Sequence, residues 1–224
     1  MTADAAATTS NAAQVADAIR TAILDGELVP SQRLVEADLC TQFKASRSAV
    51  RSALAELAVE GVVERVQNRG ARVRSVPVEE AVEIIEVRGV LEALCARKAA
   101  ERIDAGQVSE LRQMADDMAS AVKAGELMRY SEINSRLHRR IVEISGQGTA
   151  GATIERLRAQ NVRHQFRLAV QPGRANVSLP EHVEIIEAIC AGQGEQAARM
   201  METHMASIAD AIRRTGSAPP HYAA

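Results

Sequence analysis

Apolar residues recur at two different periods along this chain, and the change of period divides it. Val15, Ala18, Ile19, Ala22 and Ile23 share one helical face, and the pattern stops at Asp25-Gly26 with Pro30 beyond. Glycine just past a last turn and proline soon after are helix-stop chemistry, so a helix is predicted over Val15–Leu24. A shorter helix over Glu36–Phe43 buries Leu39 and Phe43. A third begins near Ser46, a residue suited to an N-cap. It puts Val50, Ala53, Leu54, Leu57 and Ala58 on one stripe, while Arg47, Ser48, Arg51 and Ser52 face away. The period then falls to two: Val62, Val63 and Val66 are followed by Ala71 and Val73, which alternate with Arg72 and Arg74. Gln67-Asn68-Arg69-Gly70 joins the two runs with residues that accept positive φ, which predicts one short hairpin.

Beyond Ser75-Val76-Pro77, a hinge because proline biases its predecessor away from helix, every segment reads as helix. The expected spans are Val78–Ile103, Ala105–Lys123, Glu126–Ser145, Ala150–Ala169, Leu179–Ala191 and Glu195–Arg214, broken at Gly125, Gly146 with Gly148, Gly173, and Gly192 with Gly194. The fold class is therefore mainly α: an N-terminal winged helix-turn-helix and a C-terminal all-α bundle of about six helices. The expected division is a disordered tail over 1–12, a winged helix-turn-helix domain over 13–76, an all-helical domain over 78–215, and a tail over 216–224.

Composition narrows the function. The 224 residues are 46% hydrophobic and 25% charged, an ordinary globular balance that excludes disorder of the whole chain. No apolar run approaches the roughly 20 residues that cross a bilayer, and Met1–Ser10 lacks the basic start and apolar stretch of a signal peptide, so a cytoplasmic protein without a membrane partner is expected. Cys40, Cys95 and Cys190 are far apart and form no C-x-x-C pair, which excludes a disulfide framework or thiolate cluster of standard spacing. Aromatics make up 2% and Trp is absent, too little for a stacking surface that holds single strands. The net charge of −2 suggests no polyanionic partner, but its distribution does: between Lys44 and Arg74, seven cations stand against three carboxylates.

That basic patch lies where a short helix, a tight connection and a second helix opening Ser-Arg-Ser-Ala-Val-Arg make a helix-turn-helix. Arg47 and Arg51, four apart, share a face and can bind guanine O6 and N7. The helix N-terminus with the Ser46 or Ser48 hydroxyl can hold a phosphate. Arg69 and Gly70 form the tip of a wing. The competing reading is a merely solvated helix face, and the combination of features favours DNA.

The bundle carries a second chemistry. Asn134 and His138, at i and i+4, project from one face. His182 follows Ser178-Leu179-Pro180 at an expected helix start, where the macrodipole disfavours imidazolium. His204 lies among apolar residues of the last helix. Three neutral imidazoles and an oxygen suit a divalent transition metal, most naturally Zn²⁺ with Ni²⁺ as the alternative, and leave positions open for an exogenous ligand. Taken singly, a helical histidine is more often packed or solvated than metal-bound.

Residues Ala13–Val76 resemble the winged helix-turn-helix domain of the GntR family of bacterial regulators. The resemblance rests on Ala18-Ile19-Arg20-Thr21-Ala22-Ile23-Leu24-Asp25-Gly26, on Pro30, Leu34, Glu36 and Leu39, and on Ser46-Arg47-Ser48-Ala49-Val50-Arg51-Ser52-Ala53-Leu54, Glu60-Gly61 and Arg69-Gly70. It implies that Arg47, Arg51 and the wing read a double-stranded operator, and that a homodimer reads a palindrome. Ser31, Ala49 and Ser52 depart from the usual Gly, Pro and Glu. Glu86-Val87-Arg88-Gly89-Val90-Leu91-Glu92, Asn134 to His138, Glu181-His182 and Ala197 to His204 are similar to the FCD effector domain of the FadR subfamily. That domain binds metal through Asp-x-x-x-His and two further histidines, and here Asn134 replaces the Asp. A neutral amide leaves the site nearer +2 than +1, which favours an anionic effector, a small organic acid completing the coordination sphere. Arg88 either orients that acid or only pairs with Glu92, and Tyr130, one turn before Asn134, lines the pocket or simply packs. Two other readings compete. A metal-dependent hydrolase is disfavoured by the lack of H-E-x-x-H and of a placed general base. A metal-free regulator with an acyl effector is disfavoured by the three histidines.

Overall fold

A computed structural model describes residues 11–66 and 70–216. The chain divides into two compact units. One runs to Val76 and takes in Arg158–Arg163; the other holds Pro77–Leu157 and the chain from His164.

In the first unit α1 (Ala12–Leu24), α2 (Glu36–Gln42) and α3 (Arg47–Val59) pack beside a small sheet. Asn11 and Gln14 form a reciprocal capping box at the start of α1, which places Asn11 and Ala12 in the helix start and not in the expected tail. Ser46 caps α3 as its type suggests, accepting the Ala49 N–H. The sheet corrects the single-hairpin reading: β1 (Arg33–Leu34) adds to β2 (Val63–Val66) and β3 (Gly70–Val73) in the order β1-β3-β2, all antiparallel. Two residues are too short to show a period, yet Leu34 faces the core and Arg33 faces out. The expected turn residues Gln67, Asn68 and Arg69 lie outside the described residues. Ile19, Ile23, Leu39, Val50, Leu57, Val63 and Val73 form one core, joined by Ala159. At about 1.5–3 kcal/mol per buried aliphatic side chain, this set is the main force holding the small domain. The bidentate Arg20–Glu60 pair ties α1 to the end of α3.

The second unit is helical throughout: α4 (Val78–Ala100), α5 (Ala105–Ala124), α6 (Leu127–Ser145), α7 (Gly148–Gln160, its last turn in the first unit), α8 (Val162–Ala169), α9 (Arg174–Cys190) and α10 (Gly194–Gly216). Glu79 and Glu80 in the first turn of α4 and Arg97 and Lys98 in its last complement the macrodipole. Helices α4 and α10 approach closely because small residues line the seam: a Cβ on Gly89 would lie 3.3 Å from that of Met205. Ala81, Ala93, Ala96 and Ala99 on α4 and Ala197, Ala198, Met201 and Ala209 on α10 are all buried.

Two expected spans change. The helix over Ala150–Ala169 is broken at the buried Asn161 into α7 and α8. The helix expected from Leu179 starts at Arg174, after Gly173 at φ 80°, and carries Pro180 inside it. Proline removes one N–H donor, but Ala175, Ser178, His182, Ile185 and Ile186 are all buried along the helix, and packing outweighs that loss.

Candidate functional site

The reading surface belongs to the first unit. Arg47 and Arg51 lie on the exposed side of α3, opposite Val50, Ala53, Leu54 and Leu57. Ser46 Oγ holds the cap and lies 3.0 Å from Ser48 Oγ, so both hydroxyls sit at the positive end of the helix. Arg51 Nε is 3.7 Å from Glu36 Oε1 in an exposed pair, which costs little to separate when a phosphate or base arrives. Gly70 opens β3 at φ 87°, a conformation glycine adopts without strain. Arg69 lies outside the described residues. Arg33, Arg65 and Arg72 add exposed cations on the sheet, Arg72 Nε binding Glu64 Oε1 at 2.6 Å.

In the second unit three histidines from three helices converge: His138 on α6, His182 on α9 and His204 on α10. All are buried, with one nitrogen of each within 4.8 Å of the others. The ring centroids are 4.3 Å apart for His182–His204, 5.4 Å for His138–His204 and 5.5 Å for His138–His182.

Each ring is fixed from behind through Nδ1. His138 Nδ1 donates to Glu92 Oε2 at 2.5 Å and His204 Nδ1 donates to Glu181 Oε2 at 2.7 Å, because an ionised carboxylate can only accept. Tyr130 Oη lies 3.0 Å from His182 Nδ1. Protons held on Nδ1 leave the Nε2 lone pairs of His138 and His204 for a ligand. The Nε2 atoms of His182 and His204 are buried with no hydrogen-bond partner, an arrangement costing about 1–3 kcal/mol per group unless something binds there.

Burial keeps two of the rings, His182 and His204, neutral. Burial pushes the His182 imidazole well below its ordinary range, and the charges of His204, His138 and Arg174 act in the same direction. Burial also lowers His204, against the hydrogen bond that its Nδ1 donates to Glu181. The macrodipole expected to keep His182 neutral is not the cause, since α9 starts at Arg174, two turns earlier. Burial works against Glu181, yet hydrogen bonds from His204 and Ser207 and the nearby Arg174 hold its carboxyl below the usual value. Burial raises the Tyr130 phenol.

The other expected residues fall around this cluster. Asn134 sits one turn before His138, and its Oδ1 is buried without a hydrogen-bond partner. Arg88 Nη2 binds Glu92 Oε1 at 2.5 Å, so both oxygens of this carboxylate are used, one on the arginine and one on His138. Arg88 Nε keeps no partner. The donor set of three imidazoles, two of them with orphaned Nε2 atoms, and an orphaned amide oxygen fits a borderline divalent ion.

Comparison with known proteins identifies both units. The profile described as "FCD domain" matches residues 83–207, more than half of the chain, and "Bacterial regulatory proteins, gntR family" matches residues 11–73. The chain belongs to the GntR family. This GntR-family regulator is 25% identical over 201 residues to the HTH-type transcriptional repressor RspR of Escherichia coli (strain K12), covering 90% of this chain and 88% of that one. It is 27% identical over 212 residues to the HTH-type transcriptional regulator LutR of Bacillus subtilis (strain 168), covering 85% and 95%. Among solved structures it is similar to E. coli McbR/YncC, with a TM-score of 0.79 at 20% identity over 93% of this chain and 99% of that one. The relatives are named as transcriptional regulators, and this FCD-containing protein is a DNA-binding regulator, not a hydrolase. No helix among its described residues is long and apolar enough to cross a membrane.

Two contributors in the GntR-family chain are not readable from the sequence as parts of the site: Glu92 carries only the signal of an ion pair with Arg88, and Glu181 carries none of its own. Tyr130, expected either to line the pocket or to pack, is buried and reaches His182. Only the Arg88–Glu92 spacing of four gave a local signal; the pairs that orient the imidazoles are 46, 23 and 52 residues apart.

Proposed function

We propose that this regulator holds one divalent transition metal, zinc first and nickel as the alternative, through His138, His182, His204 and Asn134, and that a small organic acid bound there modulates operator affinity. The buried convergence of three imidazoles, each oriented through Nδ1, carries this reading, because an unoccupied arrangement of this kind leaves polar nitrogens unsatisfied. When bound, the metal supplies Lewis acidity and open coordination positions for the acid's oxygens. Glu92 and Glu181 hold the rings of His138 and His204 at a fixed tilt and tautomer, and Tyr130 holds the tilt of His182. Arg88, through its free Nε, is the candidate anchor for the acid's far end. On the reading side, Arg47 and Arg51 contact base edges, Ser46 and Ser48 at the α3 N-terminus hold phosphate, and the wing with Arg69 and Gly70 contacts the adjacent groove. The protein acts as a homodimer on a palindromic double-stranded operator. Differential binding of the acid to two arrangements of the reading heads couples the sites, by about 1–3 kcal/mol in proteins of this kind.

Elemental analysis of the purified protein with native mass spectrometry tests this reading. One zinc or nickel per chain, a dimer mass and loss of the metal in His182→Ala are expected. Metal-free wild-type protein purified without chelators, and unable to take up added zinc, would overturn it. The metal-free acyl reading has no comparable support, because it leaves the orphaned Nε2 atoms of His182 and His204 without a role.

A further inference from the structure

The chain's buried charges specify which kind of acid the centre accepts. All four donors assigned to the metal are neutral: three imidazoles and the amide oxygen of Asn134. The carboxylates that face the imidazoles are Glu92 and Glu181, and each is already matched by its own cation. Glu92 pairs with Arg88 at 2.5 Å, with both side chains nearly fully buried. Glu181 lies 3.4 Å from Arg174, whose side chain is 9% exposed. The two ion pairs cancel, so a divalent ion would keep its full double charge inside the bundle. Water screens poorly at such depth, and an uncompensated buried charge is among the most costly features a protein can carry.

We infer that the metal-loaded centre selects a compact dianion over a monoanion of the same length, with Asn134 as the residue that sets this preference. This inference rests on the metal reading above. A monocarboxylate leaves one positive charge unbalanced, whereas a short dicarboxylate or an inorganic dianion balances both. An aspartate at position 134 would already supply one of the two negative charges and shift the preference towards monoanions. Asn134 thus acts as a specificity-determining residue through its lack of charge, and its amide still offers an oxygen to the ion.

The test uses the full chain loaded with one zinc, checked by elemental analysis, and calorimetric titration at neutral pH with malonate, propanoate and sulfate. Malonate is expected to bind at least tenfold more tightly than propanoate. Sulfate matching or exceeding malonate would identify an inorganic dianion as the occupant, and the reverse order a dicarboxylate; either supports the charge argument. In Asn134→Asp, the zinc content should persist while the malonate-to-propanoate ratio falls by at least tenfold. Equal affinity for malonate and propanoate in the zinc-loaded wild type would overturn the inference and leave the metal centre standing. So would an unchanged ratio in a folded, zinc-loaded Asn134→Asp. Failure to load zinc at all would overturn both readings, and the elemental analysis separates that case from the others.

Discussion

Replacing His182 by alanine separates a metal centre from a packed cluster of histidines. In the metal-free protein the change has opposing effects. It removes a buried Nε2 that has no partner, relieving about 1–3 kcal/mol, but takes one of two partners from the buried Tyr130 hydroxyl, which keeps Ser178, and leaves a hole where a ring 1% exposed had been, at a cost of about 2–5 kcal/mol. The apo variant is therefore expected to be destabilised by only about 1–3 kcal/mol. With metal the difference is larger. At free zinc a thousandfold above the dissociation constant, binding stabilises the wild type by about 4.1 kcal/mol. In a chain of this size each kcal/mol moves the midpoint by about 2–4 °C, so zinc should raise it by about 8–16 °C. A thousandfold weaker site at the same zinc concentration retains only about 0.4 kcal/mol, or about 1 °C. Thermal melts followed by circular dichroism at 222 nm, with zinc and with a chelator, read both quantities in four curves. A zinc-induced shift of equal size in the variant and the wild type would refute the assignment of His182 as a ligand.

Three other outcomes follow from the same geometry. Arg51→Ala, made on the exposed face of α3, should weaken binding to an operator selected from random duplexes by about 1–3 kcal/mol and relax specificity at one base position, measured by fluorescence anisotropy at fixed salt; an unchanged affinity removes Arg51 from the reading surface. Metal-free protein should lose stability as pH falls through about 6.5, because the unfolded state takes up protons that the folded state refuses at His182 and His204; above that value both states are neutral there and this contribution is fully present. Urea midpoints at pH 7.5 and 5.0 check this, and a drop just as steep in His182→Ala would mean that this ring does not contribute. Gly89→Ile should cost about 1–3 kcal/mol by forcing apart α4 and α10, where a Cβ already meets that of Met205 at 3.3 Å, and a neutral urea midpoint would refute close packing at that point.

The elements that could be read from the sequence are those whose signal is local. The stripe Val50, Ala53, Leu54 and Leu57 after a capping serine specifies α3 within a few neighbours, and all four are buried. β1 is two residues long and exists because β3 offers it an edge, so no periodicity could announce it. The α9 start was displaced for a similar reason: Pro180 is a local breaker, and the burial that overrides it comes from distant residues. The convergence of the three histidines was legible only through resemblance, since His138, His182 and His204 occupy three separate helices.

The Arg88–Glu92 pair shows how far spacing can be taken. Read from the sequence, an i, i+4 pair on a helix is a surface feature contributing a few tenths of a kcal/mol. In the fold both side chains are nearly fully buried, which changes the sign of the question. Desolvating the two charges offsets much of their attraction, and packed apolar residues of similar volume would stabilise the helix as well or better. Stability alone therefore does not account for the pair. Glu92 contributes something that leucine cannot: its second oxygen accepts the Nδ1 proton of His138 and fixes which ring nitrogen keeps its lone pair. Arg88 in turn supplies the cation that balances the buried Glu92 carboxylate, which would otherwise stand as an uncompensated charge.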